Sequence, residues 1–179
     1  MEKYISMKPM KLITRFLLGL LLLGAGVYAG ILISYSFGLY PTLKFMPLRD
    51  YAVWWNSHVR TTAVRMVRYE TGMAVFYFIT LAMIAIRRRW IPFLAILLSY
   101  CLMLGEFYVN HHQQDAINNQ LSHMDTYTVD ESELAVIRSH TFQVLRTREY
   151  LAGISFGLLC MGVSLYGVHR DRRTHAIKD

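Results

Sequence analysis

With 179 residues, 54% of them hydrophobic and only 17% charged, the chain has the length of one domain but too little polar surface to enclose it in water. The net charge of +7 flanks apolar runs rather than forming a basic stripe, so it reads as anchoring to anionic lipid, and no nucleic-acid partner is expected. Cys101 and Cys160 both lie in apolar segments and form no C-x-x-C pair, which argues against a membrane thiol oxidoreductase and for small buried side chains.

Four apolar runs predict four membrane spans at about 16–40, 68–86, 91–109 and 149–168, each near the ~20 residues that a bilayer demands. None shows the polar residue every third or fourth position that a water-facing bundle requires. The expected fold is all-α: an integral membrane four-helix bundle, residues 1–179 forming a single domain. The second and fourth helices should extend beyond the membrane on the outer side.

Lys3, Lys8, Lys11 and Arg15 precede the first run, which continues to Tyr40, past the ~7–15 residues of a signal core, and so predicts an uncleaved helix. Its glycines and alanines suit close helix approach, and Pro41 is expected to end it. Residues 43–56 mix charges with Trp54 and Trp55 and read as an interfacial anchor. A second helix is expected over residues 57–86. The short Arg87–Arg89 connection then makes the second and third helices antiparallel neighbours. Residues 110–139 read as a polar outer loop. Within it, Thr128-Val-Asp-Glu131 has capping-box spacing, so the fourth helix should start well before its span.

Eleven of the nineteen Lys and Arg fall in the N-terminus, the Arg87–Arg89 loop and the tail beyond residue 168. This bias predicts both termini in the cytoplasm, in a bacterial inner membrane.

Glu106 is the only charge between Ile91 and Val109, and a carboxyl inside a span marks a functional site by default. Counting ~20 residues from the inner ends of the other helices brings Glu70 and Glu149 to about its level. Arg146 is expected to pair with Glu149 on its own helix and to sit beside Glu70 or Glu106. Tyr69, Asn118, His111 and His140 complete the candidate set. In helix rise His111 lies about 7 Å above Glu106, His140 about 13 Å above Glu149 and His58 about 18 Å above Glu70. Such a spread suits an organic ligand with an apolar floor and a polar rim better than an ion. No metal ligands are assigned and no cofactor is favoured. A metal- or haem-dependent redox protein stays open as an alternative, as does a non-catalytic accessory subunit docking a partner or a second copy. His123 and the tail histidines His169 and His175 read as solvated. An echo between Ser57-His58 and Ser139-His140, each preceding an Arg/Glu/Tyr set, hints at a duplicated hairpin.

Several motifs resemble a known family. The Gly- and Ala-rich first helix closes in Ser34-Tyr-Ser-Phe-Gly-Leu-Tyr-Pro41-Thr-Leu43, similar to a Pro-x-Leu ending. Asn118-Asn-Gln-Leu121 is similar to an Asn-x-x-Leu element, with Ala116 where a proline stands in the family. Phe142-Gln143-Val-Leu-Arg146-Thr147 stands where Trp-Asn-x-x-Arg-Thr is typical, and Trp55-Asn56-Ser-His-Val-Arg60-Thr61 resembles that motif with one extra residue. In these features the chain resembles the anthrone oxygenase-like group of small four-helix membrane proteins. The resemblance implies oxidation of an anthrone by dioxygen without metal or flavin. It would place the base at His111 or His140, with Arg146 and Asn118 stabilising an enolate; Glu70, Glu106, Glu149 and Tyr69 are expected to line the ligand from their depth alone.

Overall fold

The computed structural model describes residues 7–168, all in helices apart from short connections. The basic tail and Lys3, on which part of the charge bias rests, lie outside the described residues, as do His169 and His175. Four helical rods result. The first comprises α1 (Met7–Ser34), a π-helical turn at Tyr35–Leu39 and α2 (Tyr40–Phe45). The second is α3 (Leu48–Ile86). The third comprises α4 (Trp90–Val109), a second π-helical turn at Asn110–Gln114 and α5 (Asp115–His123). The fourth is α6 (Glu131–Val168). Each rod contains a stretch long and apolar enough to cross a membrane. The protein is therefore an all-α integral membrane protein by the length and composition of its helices.

Each rod turns inward at every third and fourth residue. The buried positions are Thr14, Leu18, Leu21, Ala25, Tyr28 and Leu32 on α1, and Glu70, Met73, Tyr77, Thr80 and Ile84 on α3. They continue as Ser99, Met103 and Glu106 on α4, and Thr141, Val144, Arg148, Ala152, Ser155 and Leu159 on α6. This 3.5-residue repeat aligns nearly parallel helices along a common seam. The outward positions carry exposed Leu12, Phe16, Phe78, Leu94, Leu98 and Ile154, as lipid contact demands.

α4 packs most extensively against α6. Their backbones are drawn together by reciprocal hydrogen bonds, Ser99 Oγ to the Ser155 carbonyl at 2.7 Å and Ser155 Oγ to the Ser99 carbonyl at 2.8 Å. Hydroxyls satisfied in this way can be buried where no water reaches them. Further along the same contact, a Cβ on Gly162 would lie 2.5 Å from Ile96 Cγ1, so only glycine permits the approach.

The tight turn between α3 and α4 makes those rods neighbours as the sequence predicts, with Arg88 at φ 52° reversing the chain. Several boundaries differ from expectation. Pro41 does not end the first rod. The π turn just before it lets Tyr40 N–H bond to the Tyr35 carbonyl, and the helix runs through Pro41 to Phe45. The chain breaks instead at Met46–Pro47, and α3 begins at Leu48 rather than near residue 57.

The segment expected as a polar loop at 110–139 is largely helical, leaving only residues 124–130 between α5 and α6. Its polarity misled because one face is apolar: Ile117 and Leu121 are buried against Tyr51, Trp55, Leu134 and Ile137 in a second hydrophobic core. Trp55 is thus a core residue, not an interfacial anchor. α6 is capped two residues later than the predicted box, by Asp130. Its carboxylate accepts from Ser132 N–H at 3.2 Å and Ser132 Oγ at 2.9 Å, and these bonds hold it below the usual carboxylate range.

Candidate functional site

Where the two cores meet, four rods each place one polar side chain inward. Tyr28 comes from α1, Glu70 from α3, Glu106 from α4 and Arg148 from α6, and all four are buried. Arg148 Nε donates to Glu106 Oε1 at 2.6 Å, and its Nη2 reaches Tyr28 Oη at 3.2 Å and Glu70 Oε1 at 3.5 Å. Tyr28 Oη lies 2.6 Å from Glu106 Oε2 and 3.0 Å from Glu70 Oε1. Asn110, the first residue of the second π turn, donates Nδ2 to Glu70 Oε1 at 2.9 Å. Geometry this close is what allows a buried ion pair to offset the cost of stripping its water.

Aromatic rings wall the centre. Tyr28 stacks on Tyr69 at 5.9 Å between centroids and meets Phe107 edge-on at 6.0 Å. Tyr69 is itself pinned to α1 by donating its hydroxyl to the Gly24 carbonyl at 2.6 Å. At the rim stands His111, with Nε2 3.5 Å from Glu70 Oε2 and Nδ1 3.2 Å from Asp115 Oδ2.

The inferred meeting of Glu70 and Glu106 is therefore present, with Tyr69 and His111 beside it. The cation expected there is corrected: Arg148 fills the place assigned to Arg146. Arg146 is exposed, because the inward repeat on α6 passes through Val144, Leu145, Arg148 and Ala152 and leaves position 146 outside. Glu149 does not join the other two carboxyls. One residue past Arg148 it faces a different neighbour and accepts a hydrogen bond from Ser36 Oγ. His140 is exposed.

Beside the centre lies a cleft that opens to solvent. Both π turns contribute to its wall, through Tyr35 and Leu39 on one side and Asn110 and Gln114 on the other. Leu32, Trp55, Met66 and Leu145 supply apolar surface, and Asn118, Asp115, His58 and Arg148 supply polar groups. Asn118 Oδ1 accepts from Trp55 Nε1 at 3.0 Å and Gln114 Nε2 at 3.2 Å. That leaves Gln114 Oε1 buried without a partner. Of the candidate residues named from the sequence, only Asn118 lines this cleft; His111, His140, Arg146 and Glu149 do not. Among the described residues, no three His, Cys, Asp or Glu side chains gather as a metal-holding group.

Sequence reasoning missed Tyr28, Asn110 and Arg148. The signal for Arg148 was the 3.5-residue repeat on α6, and the same repeat marks Tyr28 on α1. Asn110 continues the inward repeat of α4, four residues after Glu106, but in the sequence it reads as the first residue of a polar loop.

Fold and site together define a class: a four-rod helical membrane protein with a buried Tyr–Glu–Glu–Arg centre opening beside a cleft. Compared with family models, curated proteins and solved structures, the chain matches none.

Proposed function

We propose that this protein binds a small apolar or aromatic molecule carrying a polar oxygen group in the cleft beside Arg148, on the outer side of an inner membrane with both termini cytoplasmic. The observation that carries the reading is Gln114 Oε1, a buried acceptor without a partner on the wall of an otherwise largely apolar cleft. An orphaned buried acceptor costs about 1–3 kcal/mol, and a hydroxyl-bearing ligand would recover it. Arg148 lines the same cleft with its Nε and Nη2 already committed. It supplies a fixed positive charge for a phenol or carbonyl oxygen. Flat rings suit the surrounding Tyr35, Trp55 and Leu145.

The extension of the rods favours the same side. At ~1.5 Å per residue, the 39 residues of α3 and 38 of α6 run well past a hydrocarbon core of ~30 Å. The cleft end of the bundle, lined by His58, Asp115 and Gln114, is the more polar one and extends beyond the membrane in this reading. The resemblance to the anthrone oxygenase-like group attaches a metal-free oxidation to such a ligand. Capture and orientation by Arg148 and Gln114 is the part that geometry supports, since neither His111 nor His140 lines the cleft.

The chain has three tryptophans, so Trp54→Phe with Trp90→Phe leaves Trp55 as a reporter on the cleft wall. Titrating purified protein with a hydroxylated anthrone should quench it saturably. Gln114→Leu should weaken that binding about tenfold, the loss of one buried hydrogen bond, with helicity unchanged. Quenching that never saturates, or is indifferent to Gln114→Leu, would refute the reading.

A further inference from the structure

The buried centre has one hydrogen too few for its contacts. Tyr28 Oη approaches two carboxyl oxygens, Glu106 Oε2 at 2.6 Å and Glu70 Oε1 at 3.0 Å, and the phenol has only one hydrogen to donate. Charge is short as well, because a single guanidinium faces two carboxyls. One additional proton on a carboxyl settles both deficits. Glu106 is the partner of Arg148, at 2.6 Å, so its charged form is the one that the geometry rewards. Glu70 stands 3.5 Å from the guanidinium and keeps Oε2 buried without a hydrogen-bond partner.

We propose that Glu70 carries the transferable proton of this centre and that His111 exchanges it with water. The charged and titratable groups facing Glu70 are Tyr28 from α1, Glu106 from α4, His111 from the second π turn and Arg148 from α6. Asn110 and Arg148 border the cleft, and on the side of Glu70 Oε2 the centre meets solvent at His111, whose side chain is 42% exposed against 2% for Glu70.

On Oε1 the proton completes the Tyr28 contact. A half-turn of the carboxyl brings it to the side that faces His111 Nε2 at 3.5 Å. Transfer to a neutral imidazole leaves a Glu70 carboxylate, which Arg148 and Asn110 hold, and an imidazolium paired through Nδ1 with Asp115 at 3.2 Å. The imidazolium then releases the proton to solvent, and the reverse sequence reloads Glu70. This exchange is independent of whether the cleft takes up a ligand.

Infrared spectroscopy of the purified protein in lipid tests it, because a protonated carboxyl has a C=O stretch that a carboxylate lacks and that shifts on deuteration. At neutral pH the wild type should show such a band and Glu70→Gln should lose it. His111→Asn should keep the band and slow its deuteration after transfer to heavy water at least tenfold. The proposal is overturned if the wild type has no such band, if the band survives in a folded Glu70→Gln protein, or if His111→Asn exchanges at the wild-type rate. Should Glu70→Gln not fold, the wild-type band and the His111→Asn rate still decide.

Discussion

Replacing Arg148 by glutamine is the sharpest test of the buried centre, and replacing Arg146 by glutamine is its control. Both residues sit on α6, two positions apart, with the same charge and stem. Arg148 is 6% exposed and bonded at 2.6 Å to Glu106, with Tyr28 and Glu70 at 3.2 and 3.5 Å. Arg148→Gln leaves Glu106 as a buried carboxylate facing a neutral amide, and removing one partner of such a pair costs about 3–5 kcal/mol. Arg146→Gln touches an exposed side chain and should stay within about 0.5 kcal/mol of wild type. At ~2–4 °C per kcal/mol for a chain of this size, the first variant should melt on the order of 10 °C lower and the second should be indistinguishable.

Adding Glu106→Gln to Arg148→Gln removes the orphaned charge. The double variant should therefore be less destabilised than the sum of the singles, with a coupling of at least about 1 kcal/mol. Melting followed by circular dichroism in one detergent compares wild type, the three single variants and the double variant. Equal losses for Arg146→Gln and Arg148→Gln, or strict additivity in the cycle, would show that the pair does not hold this bundle together.

Topology is tested by cysteine labelling. In a background with Cys101 and Cys160 replaced, a thiol introduced by Asn119→Cys should react with a membrane-impermeant reagent in intact cells and one introduced by Arg88→Cys should not; the opposite pattern reverses the orientation. The last prediction concerns His58, which lines the cleft outside the spans and stacks on Trp54 at 4.8 Å. Burial holds its imidazole below the usual value of 6.5, so the unfolded chain takes up a proton first as pH falls. The stability of the neutral form is complete above about pH 6.5 and is lost progressively below it. The gap in melting temperature between wild type and His58→Gln should therefore move in favour of His58→Gln between pH 7.5 and 5.5, and a gap that is flat with pH would exclude this role.

The four rods were legible because lipid leaves an apolar span little choice but helix. Glu70 and Glu106 were legible for the same reason, since a carboxyl in such a span is conspicuous. Choosing Arg146 over Arg148 came from its depth, its spacing to Glu149 and its place in the Arg146-Thr147 motif, none of which reports facing. Depth is set by counting residues along the axis, whereas facing is set by helical phase, and the inward repeat through Val144, Leu145, Ala152, Ser155 and Leu159 assigns that phase to Arg148. The helical character of residues 110–123 was hidden because their single apolar face, Ile117 and Leu121, is narrow against eleven polar neighbours in the same stretch. Asn110 stands on the same kind of repeat, four residues after Glu106, and was hidden by reading the segment from 110 onward as a loop.

The two π turns have a consequence of their own. A π turn is an α-helix holding one surplus residue, and beyond each one the inner face lies a position later than an unbroken repeat would place it. Buried Tyr40 and Leu43 follow the first, and buried Ile117 and Leu121 follow the second. The cleft between them is thus written into the count of residues as much as into their kinds. Substitution along either rod edits the lining while leaving the cavity's outline in place. Omitting the exposed Gln113 would instead let the third rod wind as plain α-helix, with Gln114 and Leu121 still turned inward and the outline itself redrawn. For this fold, a gap of one residue is a change of shape.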